Sequence, residues 1–179
     1  MVILANNLIA VISGGVFYTP TSCTSLNGSD TLQESPASIL AAYIINTLAD
    51  MTSPSEENDW PLYISAMPSG NNVKSDCGAI YDTTGWKDGR LMAGQVIQHY
   101  GIQLKVRSKV YQTGWTKLEN IASDLDKING VLITVDSRDY SIETVVRTGP
   151  VGFMGQEEGT RRRYLFTVNL QVTIRDVTV

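Results

Sequence analysis

The sequence predicts an α+β fold, a mostly antiparallel sheet flanked by two main helices, as a single domain over residues 36–179 behind an N-terminal extension of residues 1–35. Three observations carry this expectation. From 163 to 175, Tyr164, Phe166, Val168, Leu170, Val172 and Ile174 alternate with Thr167, Asn169, Gln171, Thr173 and Arg175, the period of a half-buried strand. Segments near 36–50 and 115–128 instead repeat apolar residues at helical spacing. These helices are few and segregated, which separates the pattern from a doubly wound parallel sheet.

Taken in order, residues 1–12 place Leu4, Leu8 and Ile12 at helical spacing, yet their β-branched content suits a strand equally, and Gly14-Gly15 ends the segment. From Thr19 to Ser35 the composition is that of a loop. Ser35 is placed to cap and Pro36 to occupy the first turn of a helix over 36–50, whose stripe is Leu40, Ile44, Leu48 and Met51. Short strands are expected at Leu62–Met67, closed by Pro68 and Gly70, and at Cys77–Asp82, with Thr83–Gly89 as a turn. Tyr100–Val110 alternates, with Gln103, Lys105, Arg107 and Lys109 on the wet face. A helix over 115–128 follows, with Thr116 and Glu119 at capping-box spacing and Asn129-Gly130 as its stop. Val131–Val135 and Tyr140–Thr148 read as strands.

Chain length and composition bound the function. At 179 residues the chain suits one domain and buries enough surface to need no staple. With 14 Lys+Arg against 18 Asp+Glu it does not suit a protein that grips nucleic acid over its whole surface. Cys23 and Cys77 read as ordinary thiols, too few for a disulfide framework. No apolar run is long enough to span a bilayer, and residues 1–12 lack the basic start of a secretory signal.

Candidate chemistry is sparse. The single histidine, His99, stands without a nucleophile motif and reads as a surface residue at a strand start. No phosphate-cradling glycine motif occurs, and the calcium-loop pattern beginning at Asp124 fails at Ile128, Asn129 and Val135. We expect no enzyme, no cofactor and no metal. Arg161-Arg162-Arg163 reads as a contact to another protein, or as a solvated strand end pairing with Glu157-Glu158, before it reads as a DNA contact. Gly149–Thr160, with Pro150 and four glycines, reads as a mobile loop. Its exposed pair Phe153-Met154 is expected to meet a partner, the alternative being that Phe153 tucks back onto its own sheet. Candidate contacts to other subunits or to a partner protein are therefore Phe153, Met154, Arg161, Arg162 and Arg163.

The stretch His99-Tyr-Gly-Ile-Gln-Leu-Lys-Val-Arg107, then Tyr111-Gln-Thr-Gly-Trp-Thr-Lys-Leu118, resembles phage tail-terminator and minor-capsid proteins. So do Asp139-Tyr-Ser-Ile142 and Arg162-Arg-Tyr-Leu-Phe-Thr-Val-Asn169. The likeness covers roughly 37–179 and is one of pattern, with no catalytic residue to carry over; residues 1–35 depart from it. It implies a virion protein, assembled in the host cytoplasm, whose copies close a ring of six on the tail tube. The ring would end tube growth, join the head connector or stopper protein, and leave a channel for DNA without binding it specifically. Other neck and head-completion proteins share this position, and a nucleic-acid-binding module is the alternative from another class.

Overall fold

The computed structural model describes residues 3–5, 8–13, 16–18, 31–55, 59–69, 73–90, 96–157 and 162–177. Cys23, Gly14-Gly15, Gly70, Arg161 and most of the Thr19–Ser35 loop lie outside these. Strands β1 (Ile3–Ala5), β2 (Leu8–Ser13) and β3 (Val16–Tyr18) pair antiparallel with one another as a small sheet. Of the two readings open for residues 1–12, the strand holds.

Helix α1 (Pro36–Tyr43) starts as its sequence requires: the Ser35 hydroxyl accepts from the Ser38 amide at 3.1 Å, and Pro36 fills the first turn. The helix widens into a π-turn over Ile44–Leu48 and stops at Ala49 in the left-handed region. Leu40, Ile44 and Met51 of the expected stripe are buried. Strand β4 (Leu62–Ile64) is shorter than expected and lies parallel to β5 (Cys77–Arg90).

Strand β5 corrects the expected turn at Thr83–Gly89, for it continues to Arg90 with register shifts on either side of Trp86-Lys87. The glycines explain why the sequence misleads. A Cβ on Gly85 would sit 2.0 Å from the His99 carbonyl oxygen of β6 (Val96–Ser108), and one on Gly101 would sit 2.4 Å from that of Thr84. Here glycine marks close backbone approach at a bulge, where turn chemistry was read.

Helix α2 (Tyr111–Leu125) begins four residues before the expected start at 115. The capping box is not used: Val110 precedes the helix without a side-chain cap, while Thr116 accepts from Gln112 inside it and Glu119 pairs with Arg147. Gly114 hides this first turn from propensity, yet its missing Cβ lets the helix press on the sheet. A methyl there would come within 2.8 Å of the Phe166 ring.

Strands β7 (Asn129–Val135) and β8 (Arg138–Arg147) form a hairpin whose two turn residues, Asp136 and Ser137, have φ 47° and 64°. Both positive angles belong to a type I′ turn, where glycine fits best at the second position. Ser137→Gly is therefore expected to raise stability by about 0.5–1 kcal/mol, read as a higher midpoint in urea at unchanged slope. A lower midpoint would show that the Ser137 side chain supports the turn.

After β9 (Gly152–Gln156), the 13-residue β10 (Tyr164–Asp176) forms the middle of a seven-stranded sheet. Its order is β4-β5-β6-β10-β8-β7, with β9 pairing the first part of β10 and β8 the last. Every pairing but β4–β5 is antiparallel. Helix α1 touches β4 and β5 near one end of that order and β7 at the other, so the sheet curls around it. Phe166, Val168, Leu170 and Val172 face Val106, Leu104, Ile102 and Tyr100 across the ladder and meet both helices in one core. The α+β class, two main helices and mostly antiparallel sheet are as the pattern predicts.

Candidate assembly surface

The cleanest chemical arrangement is one the sequence did not suggest. Alternation puts His99, Thr173 and Trp86 on the sheet face away from the helices, where His99 Nδ1 lies 3.0 Å from the Thr173 hydroxyl. Its Nε2 lies 3.1 Å from Asp88, and Trp86 packs beside the ring with centroids 5.2 Å apart. The order hydroxyl, imidazole, carboxylate imitates a catalytic triad. However, Thr173 is buried, its hydroxyl also meets that of Thr144 at 3.3 Å, and Asp88 is mostly exposed. A buried hydroxyl held by two neighbours is closed to a substrate, so the trio ties β5, β6 and β10 together on this face.

The arginine cluster divides. Arg161 lies outside the described residues. Arg162 is exposed with φ 36°, and its carbonyl accepts from the Gln156 amide. Arg163 is buried, and its Nε donates to Glu157 Oε2 at 2.5 Å. The other oxygen of Glu157 accepts from Arg107 Nη1 at 3.2 Å, so one carboxylate bridges two guanidinium groups. Arg107 corrects the expected wet face of its strand. It does point away from the helices, but on that side it donates to the Pro68 and Lys74 carbonyls at 2.7 and 3.0 Å. It is fully buried.

The Cys77 thiol lies 3.5 Å from the Met67 sulfur, and burial raises its pKa despite nearby Arg107 and Arg163. A protonated, buried thiol is inert. Asp124 pairs with Lys127 and Asp126 with Arg147, which accounts for both without calcium. Among the described residues no group of three His, Cys, Asp or Glu side chains could hold a metal ion, and no helix is long and apolar enough to cross a membrane.

The expected loop at Gly149–Thr160 is corrected as well: Gly152–Gln156 is strand β9, with Phe153 opposite Phe166 and a bulge beside Gly155 at φ 115°. Alternation had been masked by the glycines, as it was at Gly85. The structure bears on the second reading of Phe153 alone. That residue packs on its own sheet, with ring centroids 5.4 Å from Tyr111 and 5.6 Å from Phe166, yet remains 50% exposed. Tyr111 also meets Tyr164 and Phe166 edge-on at 5.5 and 5.1 Å.

Around this cluster Val110, Tyr111, Trp115 and Met154 are each between 38% and 56% exposed. The outer side of β9 carries no strand among the described residues. An uncharged, half-wet aromatic surface beside an open strand edge is what protein contacts use. Sequence reading found Phe153 and Met154 but missed Tyr111 and Trp115, because the helix was begun too late to put them one turn apart on it.

A family model described as bacteriophage tail terminator protein matches residues 37–176. No curated protein matches the chain.

Proposed function

From the chain's membership of the bacteriophage tail terminator family, we propose that it closes a ring of six subunits at the head-proximal end of the tail, ending tube growth and joining the tail to the head connector. The family is structural and non-enzymatic, which agrees with the closed geometry around His99 and Thr173. In this reading residues 36–179 are the ring-forming domain and residues 1–35 an extension. Its partners are further copies of itself, the tail-tube protein and the connector or stopper protein.

The observation that carries the reading is the half-exposed patch of Tyr111, Trp115, Phe153 and Met154 against the open edge of β9. A patch at one end of a subunit, meeting a different surface of the next copy, is a head-to-tail contact, and such contacts close rings. Phe153, Met154 and Arg162 are the contact residues. Arg163 acts from behind them, since its bond to Glu157 ties the residue after β9 to the one before β10. That internal pairing also disfavours a nucleic-acid module, because Arg163 and Arg107 spend their charge on Glu157. With a formal net charge of −4, DNA passes the channel without specific binding.

Light scattering and negative-stain images of the protein, alone and with its tail-tube protein, test this. Rings are expected; monomers under both conditions would overturn it. Met154→Asp refines the test, because a half-exposed side chain contributes little to the monomer. Its stability should change by less than about 0.5 kcal/mol, while ring formation weakens. Normal rings from Met154→Asp would remove β9 from the contact.

A further inference from the structure

From Asp82 to Gly89 strand β5 is exposed at every position, on both faces alike. A strand laid on a core has one wet face only. The pairing shows why β5 differs. Strand β4 lies beside it only at Gly78–Ile80, and β10 follows β6 only as far as His99. Beyond Trp86, which pairs with His99, β5 and β6 have no third strand beside them among the described residues. They continue as a two-stranded arm to Arg90 and Val96. Such a ribbon by itself is marginal in water. We propose that this arm docks on the patch of a neighbouring copy, with Trp86 set against Tyr111, Trp115, Phe153 and Met154. The inference rests on the self-assembly proposed above and names the surface that meets its patch.

Position is the first observation that selects this occupant. His99 pairs with Thr173 of β10, whereas Phe153 pairs with Phe166, seven residues back along the same strand. That separation is roughly 23 Å at about 3.3 Å per residue. Arm and patch are fixed at opposite ends of one sheet, so the arm does not reach its own patch. A head-to-tail contact brings it to the next one. Charge is the second observation. Trp86 and Asp88 both contact His99, which puts them on one face of the arm, and Lys87 between them takes the other. Trp86 is half-exposed and the Asp88 side chain mostly so. The patch is uncharged, and the exposed residues at its border are basic: Lys109 precedes Val110, and Arg162 stands two residues before Tyr164. Nearby acids are already held, Glu157 by Arg107 and Arg163 and Asp76 by the Lys109 amide. An aromatic ring beside a carboxylate therefore meets an aromatic surface with a basic border.

Exchanging charge between copies of the full chain tests the proposal. Asp88→Lys makes the arm as basic as the patch border, and Lys109→Glu with Arg162→Glu makes the border as acidic as the arm. Each variant alone is expected to need roughly ten times the parent's concentration, or more, to form rings by light scattering. An equal mixture should recover the parent's assembly, because every arm then meets a border of opposite sign. Parental assembly by either variant alone would overturn the arm and leave the ring standing. Loss without recovery, in variants that melt like the parent, would overturn docking between copies. Trp86→Cys and Met154→Cys give an independent reading in a Cys23→Ser background, in which Cys77 is buried. Mixed and oxidised, these two preparations should yield a disulfide between the two different chains. Rings without that link would overturn the arm. Parent protein that stays monomeric, alone and with its tail-tube protein, would overturn the ring together with the arm.

Discussion

Phe166→Asp is expected to leave no folded, soluble subunit, whereas Thr167→Asp on the next residue leaves the fold intact. Phe166 is fully buried between Val106 of β6 and Phe153 of β9, and Tyr111 stacks edge-on against it. Removing the ring alone costs about 3–5 kcal/mol, and burying an unpaired carboxylate adds several more. That total reaches the whole stability of an ordinary domain, about 5–15 kcal/mol. Thr167 points to the opposite face, where it is partly exposed and its hydroxyl donates to the Leu104 carbonyl at 3.3 Å. Its replacement should cost about 1 kcal/mol. Leu170→Asp and Gln171→Asp repeat the contrast one turn of the pleat further along, with Leu170 buried and Gln171 partly exposed. Circular dichroism melts of the four variants measure it. Equal melting within a pair would mean that the register of β10 is wrong.

The register of β10 was legible because apolar residues alternate from Tyr164 to Ile174, with Leu165 the one apolar exception on the opposite face, and no glycine interrupts it. Where glycine intervenes, the same reasoning failed twice. Thr83–Gly89 and Gly149–Thr160 were read as turn and loop, but the first lies within β5 and the second holds β9, since Gly85 and Gly155 serve bulges inside ladders. Glycine reports an unusual backbone or a close approach, and local sequence does not say which. The start of α2 was missed for a related reason. Gly114 has poor helix propensity, and only the position of Phe166 across the interface explains why nothing larger fits.

The candidate site was legible in part. Phe153 and Met154 stand out as apolar residues in a polar, glycine-rich stretch. Tyr111 and Trp115 become part of the same surface only when β9, β10 and α2 meet, a tertiary fact with no local signature. His99 showed the opposite problem: its neighbours Asp88 and Thr173 are 11 and 74 residues away, so an arrangement that imitates chemistry was invisible. Burial of Thr173 then decides against chemistry. Arg107 was misplaced because alternation gives a side chain's face but not what other parts of the chain lay over that face.

That covering makes Arg107→Met the second large expected effect, a loss of about 3–5 kcal/mol. The guanidinium is wholly buried and holds three acceptors from three parts of the chain: the carbonyls of Pro68 and Lys74 and the carboxylate of Glu157. Methionine has similar length and packs well, so the loss isolates the unmet acceptors from any cavity. For a chain of this size the melting temperature should fall by roughly 6–20 °C. Glu157→Gln should also destabilise, because Arg107 and Arg163 would then share a buried space without a countercharge. The double variant should cost less than the sum of the two, as expected for partners in one network. The damage should also spread toward the assembly surface. Glu157 follows β9 directly and grips Arg163 at the start of β10, so freeing it loosens the strand that carries Phe153 and Met154. Amide exchange at Gly152–Gln156 should quicken in Arg107→Met while that of β7 and β8, on the far side of the sheet, lags behind it. A melting temperature within about 2 °C of the parent would show that water replaces the guanidinium at little cost. The bridge would then follow from the placement of Pro68, Lys74 and Glu157 and would not hold it.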